Sequence, residues 1–109
     1  MDKIAALKEI LARDPSSAFA RYGLAMAYAS DNDAETALTE FDRLLADHPD
    51  YTAGYFMAAQ TLVKAGRPGE AQTRLREGIG SAQRTGNQHA LSEMQQLLDE
   101  LEASDGENH

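Results

Sequence analysis

Residues 15–49 read PSSAFARYGLAMAYASDNDAETALTEFDRLLADHP, framed by Asp14-Pro15 and His48-Pro49, so that the two prolines stand 34 positions apart. In the first half, Phe19, Tyr22, Leu24, Met26 and Tyr28 surround most of a helical circumference. In the second, Ala37, Leu38, Phe41, Leu44 and Leu45 recur at the spacing of a helix face. Ser30-Asp31-Asn32-Asp33 separates them with turn and capping residues. A helix that is apolar on several sides packs against more than one neighbour. The stretch therefore reads as a helix-turn-helix unit with the period of a repeat, enclosed by further helices.

Helical patterns continue on both sides. Residues 2–13 place Ile4, Leu7, Ile10 and Leu11 at helical spacing with Lys3, Lys8 and Glu9 between them. Pro15 ends that helix, because the residue before a proline is pushed out of the α region. Ser16 or Ser17 caps the helix over about 17–30, and Asp33 the helix from Ala34 to Ala46. After Pro49 the pattern starts again. A helix over 51–65 carries Tyr55, Phe56, Met57, Ala58, Ala59, Leu62 and Val63 and stops at Gly66, which suits a left-handed C-cap. Pro68 opens a fifth helix with Ala71, Leu75, Gly78 and Ile79 on its inner stripe. Gly86 breaks it, Asn87 caps a sixth, and Leu91, Met94, Leu97, Leu98 and Leu101 give that helix an apolar face. Residues 104–109 have nothing to bury and are expected to be disordered. A glycine inside a helix costs about 1 kcal/mol against Ala. Gly78 therefore implies that the sixth helix crosses close over it.

Composition narrows the functions. The 109 residues include no Cys, which removes disulfides, thiolate nucleophiles and zinc-finger clusters. Lys and Arg number 10 against 18 Asp and Glu, a formal charge of −8. Affinity for nucleic acid or an anionic membrane comes from neutralising phosphates, so neither partner is expected and basic partners are mildly favoured. No apolar run approaches the roughly 18 residues of a membrane span, and Met1-Asp2-Lys3-Ile4 lacks the basic-then-apolar order of a signal peptide. A cytoplasmic location is expected.

The period, the small mid-helix residues and the closing proline resemble the tetratricopeptide repeat (TPR) family. In the first repeat the matching positions are Ala20, Leu24, Ala25, Tyr28, Asn32-Asp33, Ala37, Phe41, Leu44, Leu45 and Pro49. Arg21 departs, standing where the family usually has a large apolar residue. In the second the matches are Tyr55, Ala58, Ala59, Leu62, Gly66, Glu70-Ala71, Leu75 and Ile79, with Gly78 in place of the usual Ala and Gln83 in place of the closing proline. Leu62 to Leu98 spans 36 residues where Tyr28 to Leu62 spans 34, so the last helix follows a two-residue insertion. The resemblance implies an all-α fold of six helices, antiparallel pairs stacked as a short right-handed solenoid. Within one domain over 1–103 it has a half repeat at 2–15, repeats at 18–51 and 52–85, and a capping helix at 87–103.

The same resemblance implies a non-catalytic protein-interaction module that requires no cofactor or metal. In the family the first helix of each pair lines a concave surface that commonly holds a peptide. The groove positions carried over are Phe19, Tyr22, Met26 and Ala29, then Ala53, Phe56, Gln60, Val63 and Lys64. Versions that grip a C-terminal carboxylate place Lys and Asn at several of these positions. Tyr22, Met26, Phe56 and Gln60 stand there instead, which suits an apolar or amphipathic segment. Two alternatives compete: the sixth helix covers those aromatics, or a second copy does and the chain is a homodimer. Catalysis has little support. His48, His89 and His109 have no spacing that places two ligands on one helical face. Asp31, Asp33 and Glu35 lack the glycine and final glutamate of a calcium loop, and helix capping explains them better.

Overall fold

Hydrogen-bonding side chains mark the start of four of the six helices in the computed structural model, which describes residues 2–107. Asp2 accepts from the Ile4 amide ahead of α1 (Lys3–Arg13), and Ser17 from the Ala20 amide ahead of α2 (Ala18–Ser30). Asp33 does the same for Thr36 at the start of α3 (Ala34–Asp47). α4 (Thr52–Lys64) has no side-chain cap, and α5 (Pro68–Thr85) begins on Pro68, whose missing N–H had no partner to lose. The Asn87 side chain accepts from the Ala90 amide at 3.1 Å to open α6 (Gln88–Glu107). Two residues past α2 stands Asn32, at φ 63°, and two past α4 stands Gly66, at φ 76°. These equivalent positions take the left-handed turn that a Gly adopts freely and an Asn tolerates.

Consecutive helices pack on one another along the whole chain. In addition α2 touches α4 and α4 touches α6, whereas α1 and α3, and α3 and α5, do not approach in this way. The stack is therefore curved, with α2, α4 and α6 on the inside, and it measures 48 × 31 × 19 Å. Its core runs along the stack. Leu7, Ala20 and Leu24 join α1 to α2, and Ala25, Ala37, Phe41, Leu44 and Ala58 join α2, α3 and α4. Tyr55, Ala59, Leu62, Ala71, Leu75, Met94 and Leu98 join α4, α5 and α6. Each layer contacts only its neighbours, as a solenoid requires.

Two features correct or extend the reading of the sequence. Helix α6 runs on to Glu107, so residues 104–107 are helical where disorder was expected, while 108 and 109 lie outside the described residues. A hydrogen bond of 2.6 Å from Gln72 Nε2 to Asp105 Oδ2 holds this last turn against α5. Arg21 is 6% exposed, and its guanidinium donates to Glu40 Oε1 at 2.6 Å and to the Pro15 carbonyl at 3.3 Å. The polar residue at an apolar position thus ties the α1–α2 turn to α2 and α3.

The close crossing at Gly78 is present. A Cβ built there would lie 2.5 Å from Met94 Sδ on α6 and 2.6 Å from Tyr55 Cβ on α4. Overpacking of this kind costs about 1–3 kcal/mol and outweighs the roughly 1 kcal/mol of helix propensity gained. Gly78→Ala is expected to lower the urea midpoint, and a raised midpoint would contradict the crossing. Removing one partner of a buried ion pair leaves a desolvated charge behind. Glu40→Ala should therefore destabilise by about 3 kcal/mol, with Arg21→Leu combined with Glu40→Leu recovering most of the loss in the same denaturation measurement.

Candidate functional site

Helices α2 and α4, on the inside of the curve, carry almost no charge. Among the 13 residues of α2 and the 13 of α4 only Arg21 and Lys64 are ionised, and Arg21 is turned onto Glu40. Where α2, α4 and α6 converge there is a depression of about 300 Å³. Tyr22 and Phe56 line its aromatic sides, Thr52, Ala53 and Met57 the floor, and Asn87, His89, Ala90 and Glu93 the α6 side. Thr52, Ala53 and Asn87 continue into a shallower furrow of about 340 Å³ that adds Asp50, Tyr51 and Thr85.

The aromatic walls are held from behind. The Tyr22 ring sits edge-on to Phe41 at 6.4 Å between centroids and tilted against Tyr51 at 5.2 Å. Phe56 backs onto the cluster built around Tyr55, Met94 and Leu98, with Leu97 and Leu101 of α6 packed against the same cluster. Thr52, at the floor, is fixed by a buried hydroxyl–hydroxyl bond of 2.7 Å to Ser81 on α5. Burial pushes the Tyr22 phenol above its ordinary pKa, with the neighbouring Tyr51 adding to the shift.

Of the nine groove positions read from the sequence, the fold brings Tyr22, Ala53 and Phe56 into one depression. Lys64 meets Ala29, Asn32, Ala34, Thr61 and Ala65 in a separate hollow of about 230 Å³. Phe56 and Lys64 are two helical turns apart on α4, about 12 Å at 1.5 Å per residue, so no single side-chain pocket includes both. Met26 is half-buried against the Ala25–Phe41 cluster. Phe19 is 76% exposed and Val63 37%, and Gln60 is exposed. The α6 residues were missed because that helix was read as a cap. The signal was available, since the apolar face of residues 91–101 places Ala90 and Glu93 on its flank.

A second hollow of about 350 Å³ lies on the outer face between α3 and α5, over Leu38 and Leu62. Its cations are already matched: Arg67 pairs with Glu70 at 2.5 Å and Glu35 at 3.2 Å, and Arg74 with Asp42 at 2.5 Å and Glu77 at 3.1 Å. The hydrogen bond from Arg67 holds Glu70 below the usual carboxylate range. His48 donates from Nε2 to the Ser16 carbonyl at 3.0 Å, and His89 lies 3.2 Å from Glu93. His109 lies outside the described residues. Among the described residues no three His, Asp or Glu side chains gather as metal ligands, and no helix is long and apolar enough to cross a membrane.

Comparison with known proteins agrees with this architecture. A family model for the tetratricopeptide repeat matches residues 4–55 and 28–94. A TPR repeat-containing protein of Pseudomonas aeruginosa is 29% identical over 99 residues, which covers 91% of this chain and 94% of that protein. The crystal structure of a tetratricopeptide repeat domain protein from Salinibacter ruber is similar with a TM-score of 0.74 at 30% identity, over 80% of this chain and 97% of that one. The TPR2B domain of yeast Sti1, solved as a complex with pHsp70, gives a TM-score of 0.85 at 18% identity over 93% of this chain and 81% of that one, a likeness of fold alone.

The tyrosines set an alkaline limit. Burial raises the pKa of Tyr55 as well as that of Tyr22. A raised pKa means that the folded state keeps a proton which the unfolded chain releases, so this stability is complete below about pH 10 and is lost as pH rises through the folded values. The melting temperature is expected to fall above about pH 10, and to fall less steeply in Tyr22→Phe.

Proposed function

The chain belongs to the tetratricopeptide repeat family, and from that membership we propose that it is a non-catalytic interaction module whose inner groove seats an apolar side chain of a partner peptide or helix. Domains of this family and fold are generally protein-interaction modules, and the Sti1 domain was solved with a bound partner. The observation that carries the reading is the depression of about 300 Å³ in which Tyr22 and Phe56 face α6 across a floor of Ala53 and Met57. Its aromatic walls are fixed by packing before anything binds, which lowers the cost of association. Helix α6 forms one side of this space and leaves it open. Met26, Gln60, Val63, Lys64 and Phe19 lie along the remaining inner and edge surface, where a longer segment would continue.

A leucine-striped amphipathic peptide with a glutamine polar face is a suitable neutral probe. Titrated into isotopically labelled protein, it should shift the NMR signals of Tyr22, Ala53, Phe56, Met57 and Ala90. Phe56→Ser should weaken binding by about tenfold or more, the effect of removing an aromatic anchor. No binding, or shifts confined to the outer hollow around Leu38 and Leu62, would remove this reading. Self-association is the competing use of the same surface, motivated by the 76% exposure of Phe19 beside it. Light scattering should give a monomer mass at all concentrations. A mass that doubles on concentration and reverts in Phe56→Glu would establish the dimer instead.

A further inference from the structure

The distribution of charge says which kind of segment the groove prefers. After Arg84 the chain contains no Lys or Arg and six acidic residues, Glu93, Asp99, Glu100, Glu102, Asp105 and Glu107. Helix α6 is therefore acidic along its length, and Glu93 is the carboxylate it places at the depression beside the nearly uncharged α2 and α4. Most of the arginines are engaged away from this depression: Arg67 and Arg74 on the outer face, Arg21 with Glu40, Arg84 with Asp50 at 2.8 Å and Arg76 with Glu102 of α6 at 3.8 Å, while Lys64 lies two turns along α4 in its own hollow. No Lys or Arg lines the depression, and Glu93 is its one carboxylate. The partner of Glu93 is His89, 3.2 Å away on the preceding turn, which balances its charge only when protonated.

We propose that the groove selects a basic amphipathic segment of a partner protein, with an apolar side chain between Tyr22 and Phe56 and a Lys or Arg within one helical turn of it reaching Glu93. This rests on the preceding reading, that the depression is where a peptide binds. The geometry suits the arrangement because the aromatic pair and the carboxylate line the same depression of about 300 Å³. An anchor seated there leaves a cation on the next turn, about 5 Å away, opposite Glu93. An anionic segment meets no cation at this end and faces the field of α6. Electrostatic complementarity of this kind acts on partner choice and association rate, and salt screens it.

The test uses two further probes with the same leucine stripe, one with a lysine and one with a glutamate polar face, and three proteins: the natural chain, Glu93→Lys and Asp47→Lys. Asp47 is exposed at the end of α3, so its replacement changes the net charge equally without touching the groove. The lysine peptide should bind about tenfold more tightly than the glutamate peptide at low salt, with the gap closing in 0.5 M salt. Glu93→Lys should weaken the lysine peptide by about fivefold or more and Asp47→Lys by about twofold or less. Equal binding of the two charged peptides, with the neutral probe still bound in the groove, would overturn the charge preference and leave the groove intact. Equal losses in the two variants would also overturn it, by assigning the preference to net charge alone. Failure of all three peptides to bind would remove the groove and the preference together.

Discussion

The closest approach between helices occurs where the side chains are smallest. Ala25, Ala37, Ala59 and Ala71 are all fully buried, and they recur as Ala25 with Ala59 and Ala37 with Ala71, each pair one repeat of 34 residues apart. A methyl group at these points lets two backbones come together, and larger residues such as Phe41 and Leu75, again 34 apart, fill the space beside the contact. Every other dimension follows from this register. Asn32 and Gly66 turn the chain at equivalent places, and the second and fourth helices are brought side by side. The register then breaks at α5, whose 18 residues exceed the 14 of α3 by a turn. The sixth helix consequently arrives displaced, and Gly78 is the residue whose missing side chain gives Met94 its place.

Curvature explains why charge collects on one side. Helices α2 and α4 approach each other closely enough to exclude long polar side chains, so their sequences are rich in Ala and nearly free of charge. On the outside the helices diverge, and arginines reach across the gap: Arg67 to Glu35, Arg74 to Asp42 and Arg84 to Asp50, with separations of 32, 32 and 34 residues. Exposed pairs of this type contribute roughly 1 kcal/mol or less each, so their main effect is on the field of the molecule. They engage three of the ten cations away from the groove, and of the α6 carboxylates Glu102 meets Arg76 whereas Glu93 beside the groove meets only His89.

Most of the fold was legible in the sequence because it is written in local signals. Ser17, Asp33 and Asn87 cap the helices they were expected to cap, and Gly66 ends α4 in the left-handed conformation. The six helices and their pairing follow from apolar spacing and period. Three things were not legible. The extension of α6 depends on the contact between Gln72 and Asp105, 33 residues apart, and no local pattern records it. Arg21 stands among apolar residues, and only its approach to Glu40 across the helix pair makes its burial tolerable. The grouping of the candidate site residues also depended on rise and curvature: the positions shared one helix face, but Tyr22 and Phe56 met at one depression while Lys64 fell two turns away.

The sixth helix presents three different surfaces. Met94 and Leu98 face inward and complete the core of α4 and α5. Ala90 and Glu93, three residues apart on the flank, form a side of the groove. Ser92, Gln95, Gln96 and Asp99 are exposed and keep the end of the stack polar. A helix has a circumference large enough for three such surfaces only if each is narrow, which is why the apolar face of α6 is limited to a stripe and its groove side to a few residues. The requirement that the outer end be wet favours acidic and amide residues along this helix, and Glu93 beside the groove belongs to that same acidic population. Completing the core of α4 and α5 and placing Glu93 beside the groove are therefore two consequences of one amphipathic pattern.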